Sequence, residues 1–73
     1  MSAAVGRRLE GRVEEFDDHV GLGTVASVDG RSFRFHCTQI ADGTRTITAG
    51  ESVTFAVAPG GAGSWEAFDV ARG

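Results

Sequence analysis

The sequence predicts a small all-β domain of five short strands that close into a barrel or a sandwich. Three observations carry this. An Asp29-Gly30 pair separates two short runs, residues 22–28 and 32–37, and Asp-Gly between such runs is the strongest short-range hairpin signal. The second run alternates: Phe33 and Phe35 point one way, Arg34 and His36 the other, because strand side chains change face with period two. No stretch sustains a helical period, while turn signals recur along the chain. Short strands leave edges that must be hidden, so closure is expected.

The elements follow in order. Residues 1–8 are small and polar without periodicity and read as a flexible N-terminal tail; residues 9–71 read as the folded domain. Residues 9–16 form the first strand, with Val13 facing the core, and Asp17-Asp18-His19 a polar turn. Gly21 and Gly23 bracket Leu22, and glycine within a strand marks a bulge, a bend or a close backbone approach. Residues 22–28 and 32–37 are the second and third strands. Residues 38–48 hold no long element: Ile40 reads as a core plug on a short helical turn, Asp42-Gly43-Thr44 as a turn, and Ile47 as a return to the core. After a turn at Ala49-Gly50-Glu51, residues 52–58 are the plainest strand, with Val53, Phe55 and Val57 on one face and Ser52, Thr54, Ala56 and Ala58 on the other. Pro59 ends it, residues 59–64 make a flexible loop, and residues 65–70 are the last strand. The predicted core is Val13, Phe16, Val25, Val28, Phe33, Phe35, Ile40, Ile47, Val53, Phe55, Val57, Ala67 and Val70.

Seventy-three residues make one small domain, which buries only about 60% of the surface its unfolded chain exposes. Hydrophobic residues are 41% and charged residues 23%, ordinary for a soluble globular domain. No apolar run approaches the ~18 residues of a membrane span, and no charged-then-apolar leader is seen. Cys37 is the single cysteine, which excludes an intrachain disulfide. A cytoplasmic setting is expected. Net charge is −3, and all seven basic residues are arginine. Five of the ten acidic residues (Glu10, Glu14, Glu15, Asp17 and Asp18) crowd into positions 10–18. A nucleic-acid binder that gains its affinity from phosphates needs a basic field, which the chain as a whole does not offer.

The order of landmarks resembles the bacterial cold-shock proteins. Gly11-Arg12-Val13 and Phe16-Asp17 resemble that family's first strand. Gly21-Leu22-Gly23-Thr24-Val25 stands where its first RNA-binding motif, Lys-Gly-Phe-Gly-Phe-Ile, lies, and Phe33-Arg34-Phe35-His36-Cys37 where its second, Val-Phe-Val-His-Phe, lies. Ile40, Asp42-Gly43, Arg45-Thr46-Ile47, Gly50-Glu51, Val53-Thr54-Phe55 and Glu66-Ala67 continue the match over residues 9–71. The resemblance implies a single five-stranded antiparallel OB-like barrel.

In that family, bases of a single strand stack on exposed aromatics of the sheet. At the matching positions this chain has Glu15 for a tryptophan, Leu22 and Thr24 for the phenylalanines of the first motif, and Val20 for its lysine. Arg34 and Cys37 replace two phenylalanines of the second motif, and Thr44 the aromatic of the next loop. His36 alone remains of the stacking set. Each base–aromatic stack is worth ~1–3 kcal/mol, so four fewer remove ~4–12 kcal/mol. A micromolar complex has only ~8 kcal/mol in all.

The resemblance therefore implies a divergent module of weak or altered single-stranded RNA or DNA binding. Its candidate residues are Arg34, His36, Arg45, Leu22, Thr24 and Trp65. Arg34 can stack on a base and pair with phosphate, unless it is taken by Glu14 or Glu15 on a neighbouring strand. Arg12, Arg31 and Arg45 add cations around the rim. Trp65 is either a new stacking platform or a cap on one end of the core, and with Phe68 it stands where the family has Pro-Gln-Ala-type residues. The residues by themselves suggest the alternative of a protein-interaction or self-association module that has lost nucleic-acid binding. Glu15, Leu22, Thr24, Arg34 and Cys37 would then face a protein partner or a homodimer mate.

Other constellations are poor. His19, His36 and Cys37 lack the four ligands and paired spacing of a structural zinc site. Adjacent His36 and Cys37 should point to opposite faces, which disfavours a thiol nucleophile; Cys37 reads as a small half-buried hydrophobe. The glycines at 60–63 lack the lysine and the strand–loop–helix setting of a phosphate loop. No enzyme activity, cofactor, metal, membrane or small-molecule substrate is expected.

Overall fold

A computed structural model of the chain describes residues 8–44, 46–60 and 65–72. Five strands follow one another: β1 (Arg8–Asp17), β2 (Leu22–Ser27), β3 (Ser32–His36), β4 (Ser52–Pro59) and β5 (Trp65–Arg72). A 3₁₀ turn, Cys37–Gln39, follows β3. The strands close into a barrel in the order β1-β2-β3-β5-β4. Four ladders are antiparallel, and the one that joins β3 to β5 is parallel, at Arg34 and Glu66. Residues 1–7 of the expected tail and 61–64 of the expected loop lie outside the described residues, whereas Arg8 already belongs to β1.

The inward residues build one core. Val13, Val25, Phe35, Val53, Phe55 and Val70 are fully buried, and Ile40 and Ile47 plug it from the β3–β4 connection. Ile40 follows directly on the 3₁₀ turn, where its N–H donates to the Cys37 carbonyl at 3.2 Å, and it bridges to Val70. Phe16 and Val57 are only partly buried against this core.

Two irregularities set the phase of the strands. Between Val13 and Glu15 the β1–β2 register slips: two steps on β1 match one on β2, so Glu14 is an extra residue. The bulge lets Val13 and Phe16 both face inward although they are three apart, and it turns Glu15 outward. Phe16 then stacks on Phe35 with ring centroids 5.8 Å apart. On β5, three steps match two on β4 between Thr54 and Ala56, and Asp69 takes the left-handed backbone (φ 54°) that a bulge needs. Arg8 braces it, donating to the Asp69 carboxylate at 2.8 Å, the Asp69 carbonyl at 2.7 Å and the Thr54 carbonyl at 2.9 Å.

Val28 is a correction: it is 81% exposed instead of buried. Val25 and Val28 are an odd number apart and cannot share a strand face. Ser27 takes the inward position and ends β2, so Val28 opens the turn. There Gly30 adopts a positive φ of 93° and donates to the Ser27 carbonyl at 3.0 Å. Ala56 is buried as well, but outside the core cluster, between its register partners Arg8 and Phe68. The third strand ends at His36 instead of Cys37, and the fourth continues through Pro59, which pairs with Trp65.

Candidate functional site

Register, more than sequence proximity, assembles the outer face of β1, β2 and β3. Glu15 pairs with Thr24, Thr24 with Arg34, and Arg34 with Glu66, which makes one cross-strand row. Asp17 pairs with Leu22 and Leu22 with His36, which makes a second. Between the rows Phe16, Gly23 and Phe35 are in register and turn inward. Gly23 is required there: a Cβ would stand 2.6 Å from the Glu15 carbonyl and 2.9 Å from the Phe16 ring. The result is a shallow groove of about 340 Å³ floored by Phe16 and Gly23 and walled by Glu15, Val20, Leu22 and Arg34.

Arg34 is exposed and makes no ion pair or hydrogen bond among the described residues. The expected pairing with Glu14 or Glu15 does not form. Thr24 on β2 stands between them, and two strand spacings put β1 and β3 about 10 Å apart. Glu14, Glu15, Asp17 and Asp18 are all exposed, so the β1 side of the groove is acidic and the β3 side cationic.

His36 caps the 3₁₀ turn. Its Nδ1 accepts from the Thr38 N–H at 3.2 Å and lies 3.0 Å from the Thr38 hydroxyl, which fixes the ring and leaves Nε2 outward. The expected separation of His36 and Cys37 does not hold. Cys37 leaves the strand for the 3₁₀ turn, which brings its Sγ to 3.8 Å from His36 Nδ1. No group of three or more His, Cys, Asp or Glu converges as a metal set among the described residues.

The remaining candidates scatter. Arg31 is engaged: it pairs with Asp29 at 3.0 Å and lies over the Phe33 ring at 5.4 Å. Arg12 is exposed beside a different groove, shared with Glu10 and Val28. Arg45 lies outside the described residues. Trp65 is 53% exposed at the start of β5, so it does not cap the core. The residue that sequence reasoning missed is Glu66. Only the parallel β3–β5 ladder brings it beside Arg34, and a pairing across more than thirty residues leaves no local pattern.

The model of one family, described as 'Cold-shock' DNA-binding domain, matches residues 9–72. Among curated proteins, glycine-rich protein 2 of Nicotiana sylvestris is 38% identical over 72 residues, covering 96% of this chain and 34% of that protein. The chain thus spans about a third of that relative's length.

Proposed function

This chain belongs to the family of 'Cold-shock' DNA-binding domains, and from that membership we propose that it binds single-stranded RNA or DNA across β1, β2 and β3 in a cation-led mode. The observation that supports this mode is Arg34, exposed in the middle of the outer face with no ion pair among the described residues. A guanidinium pairs with phosphate in a fork and also stacks flat on a base, so one side chain does part of the work of an aromatic. His36 keeps the face of its ring for a base, Leu22 supplies an apolar contact and Thr24 a hydroxyl. Arg45 adds a second cation, and Trp65 a further aromatic surface.

The binding is weak and salt-sensitive. Stacks are few, and the carboxylates of Glu14, Glu15, Asp17 and Asp18 repel phosphate from one side. Two or three arginine–phosphate contacts on a single strand give a slope of log K against log salt of about −1.4 to −2.1.

The test is an amide-resonance titration of the labelled protein with a thymine-rich strand and its RNA equivalent, at low and near-physiological salt. Saturable shifts on Leu22, Thr24, Arg34 and His36 that fade with salt are expected. Arg34→Ala should flatten the salt slope by about 0.7. Equal slopes for the variant and the natural chain would remove Arg34 from the site. No shifts at millimolar strand and low salt would overturn nucleic-acid binding and turn the face over to a protein partner.

A further inference from the structure

Beside Arg34, on the opposite side from Thr24, the parallel ladder places Glu66, and past it lies a notch where the ends of the two cross-strand rows, Glu66 and His36, meet the end of β4. The notch, about 180 Å³, is lined by His36, Gln39, Ala58, Pro59, Glu66 and Phe68. Glu66 and Phe68 share the outer face of β5 because Ala67 between them is buried. Phe68 is half-buried, and the His36 ring is held by Thr38. The wall thus carries two aromatic rings with little freedom to lose. Glu66 is exposed and has no ion pair among the described residues. Its carboxylate lies against Gly60, where a Cβ would stand 2.7 Å from it, so the bare glycine makes the room it occupies.

We infer that this notch is a base-reading subsite that prefers guanine, with the Glu66 carboxylate as the reader. The inference rests on the single-strand binding proposed above and adds the base that is chosen. Bases of a single strand expose their Watson–Crick edges. A carboxylate only accepts hydrogen bonds. Guanine offers N1–H and N2–H side by side, a parallel pair that a carboxylate takes in fork geometry with both bonds charge-assisted. Thymine and uracil offer a single N3–H between two carbonyl oxygens, which face the carboxylate and repel it. Cytosine and adenine offer one amino group beside a bare ring nitrogen, which repels in the same way. Phe68 and His36 supply stacking, which every base accepts, so the choice among bases falls to the polar side chains of the notch, Glu66 with Gln39 beside it. Arg34, in register with Glu66, holds the neighbouring phosphate.

The experiment compares three hexamers with the same phosphates: all thymine, thymine with one central guanine, and thymine with hypoxanthine in that place. Amide resonances are followed in the natural chain and in Glu66→Gln. The guanine hexamer should bind at least about tenfold tighter than the thymine hexamer, as two charge-assisted bonds suggest. Its shifts should extend to His36, Glu66 and Phe68. Hypoxanthine, which lacks the N2 amino group, should lose most of the gain. Glu66→Gln removes a negative charge and should tighten the thymine hexamer, while the guanine hexamer also loses its charge-assisted fork, so the guanine-to-thymine ratio falls towards one. Equal affinity for guanine and thymine, or a ratio that Glu66→Gln leaves unchanged, overturns the subsite and leaves strand binding standing. No binding of any hexamer overturns both.

Discussion

Gly23 shows how much one missing side chain can decide. It lies in register with Phe16 on one side and Phe35 on the other, and the outer groove has its floor there. Gly23→Ala would place a Cβ 2.6 Å from the Glu15 carbonyl, which no rotamer change relieves because the neighbour is backbone. Overpacking of this kind costs about 1–3 kcal/mol. Urea unfolding should show a lower midpoint with an unchanged slope, and an unshifted midpoint would mean that β1 yields without cost. Single positions were legible to different degrees. The exposure of Arg34 and His36 followed from alternation with Phe33 and Phe35. The exposure of Val28 did not, because the Asp29-Gly30 signal locates a turn without saying which residue opens it. The freedom of Arg34 from Glu15 depends on Thr24 standing between them, which is a fact of sheet order.

Arg72, at the end of β5, clamps the segment between β3 and β4. Its Nε donates to Glu51 at 2.8 Å, a second nitrogen bonds the Asp42 carboxylate, and a third donates to the Thr46 carbonyl at 2.9 Å. Asp42 also closes its own turn, accepting from the Thr44 N–H at 3.1 Å. That bond first, then the Thr44 hydroxyl and Arg72, hold its carboxyl below the usual 3.8. The Ser27 hydroxyl, with Arg31 behind it, does the same for Asp29 in the hairpin turn. A carboxyl whose pKa is lower in the folded chain adds stability above its unfolded value and loses it as pH falls through the folded one. Both turns should therefore loosen as pH drops below about 3.8. Protection of the Thr44 and Arg31 amides, taken relative to the intrinsic exchange rate at each pH, should fall on that descent, and Asp42→Asn should remove the pH dependence of the protection at Thr44. A Thr44 protection factor indifferent to pH would detach the clamp from Asp42. The turn at Asp42-Gly43-Thr44 was readable from residue type, whereas its tie to Arg72 joins positions thirty apart.

The molecule as a whole has little stability to spare. A core in a chain of this size rarely supplies more than about 3–5 kcal/mol. Phe55 is fully buried and meets Phe33 at 5.9 Å between centroids. Phe55→Ala costs about 3–5 kcal/mol, which equals the whole margin. The variant should be largely unfolded at room temperature by circular dichroism, and a folded spectrum would show a reserve that the barrel's size does not suggest. The same economy bears on binding. With a net charge of −3 and no lysine, the chain as a whole offers no basic field, so the strand binding proposed above rests on local arginines.

Local patterning along the chain was enough to determine the all-β class, the hairpin at Asp29-Gly30, most of the core and the outward placement of Arg34 and His36. Those features depend on neighbours one to four residues apart, where period-two alternation and turn chemistry act directly. Tertiary structure alone decided the bulges at Glu14 and Asp69, the isolation of Arg34 from Glu15, the meeting of His36 and Cys37 beyond the end of β3, and the arrival of Glu66 and Phe68 beside them. Each depends on how distant strands slide and pair, and that register is set by packing around the whole ring, which no short window of sequence contains.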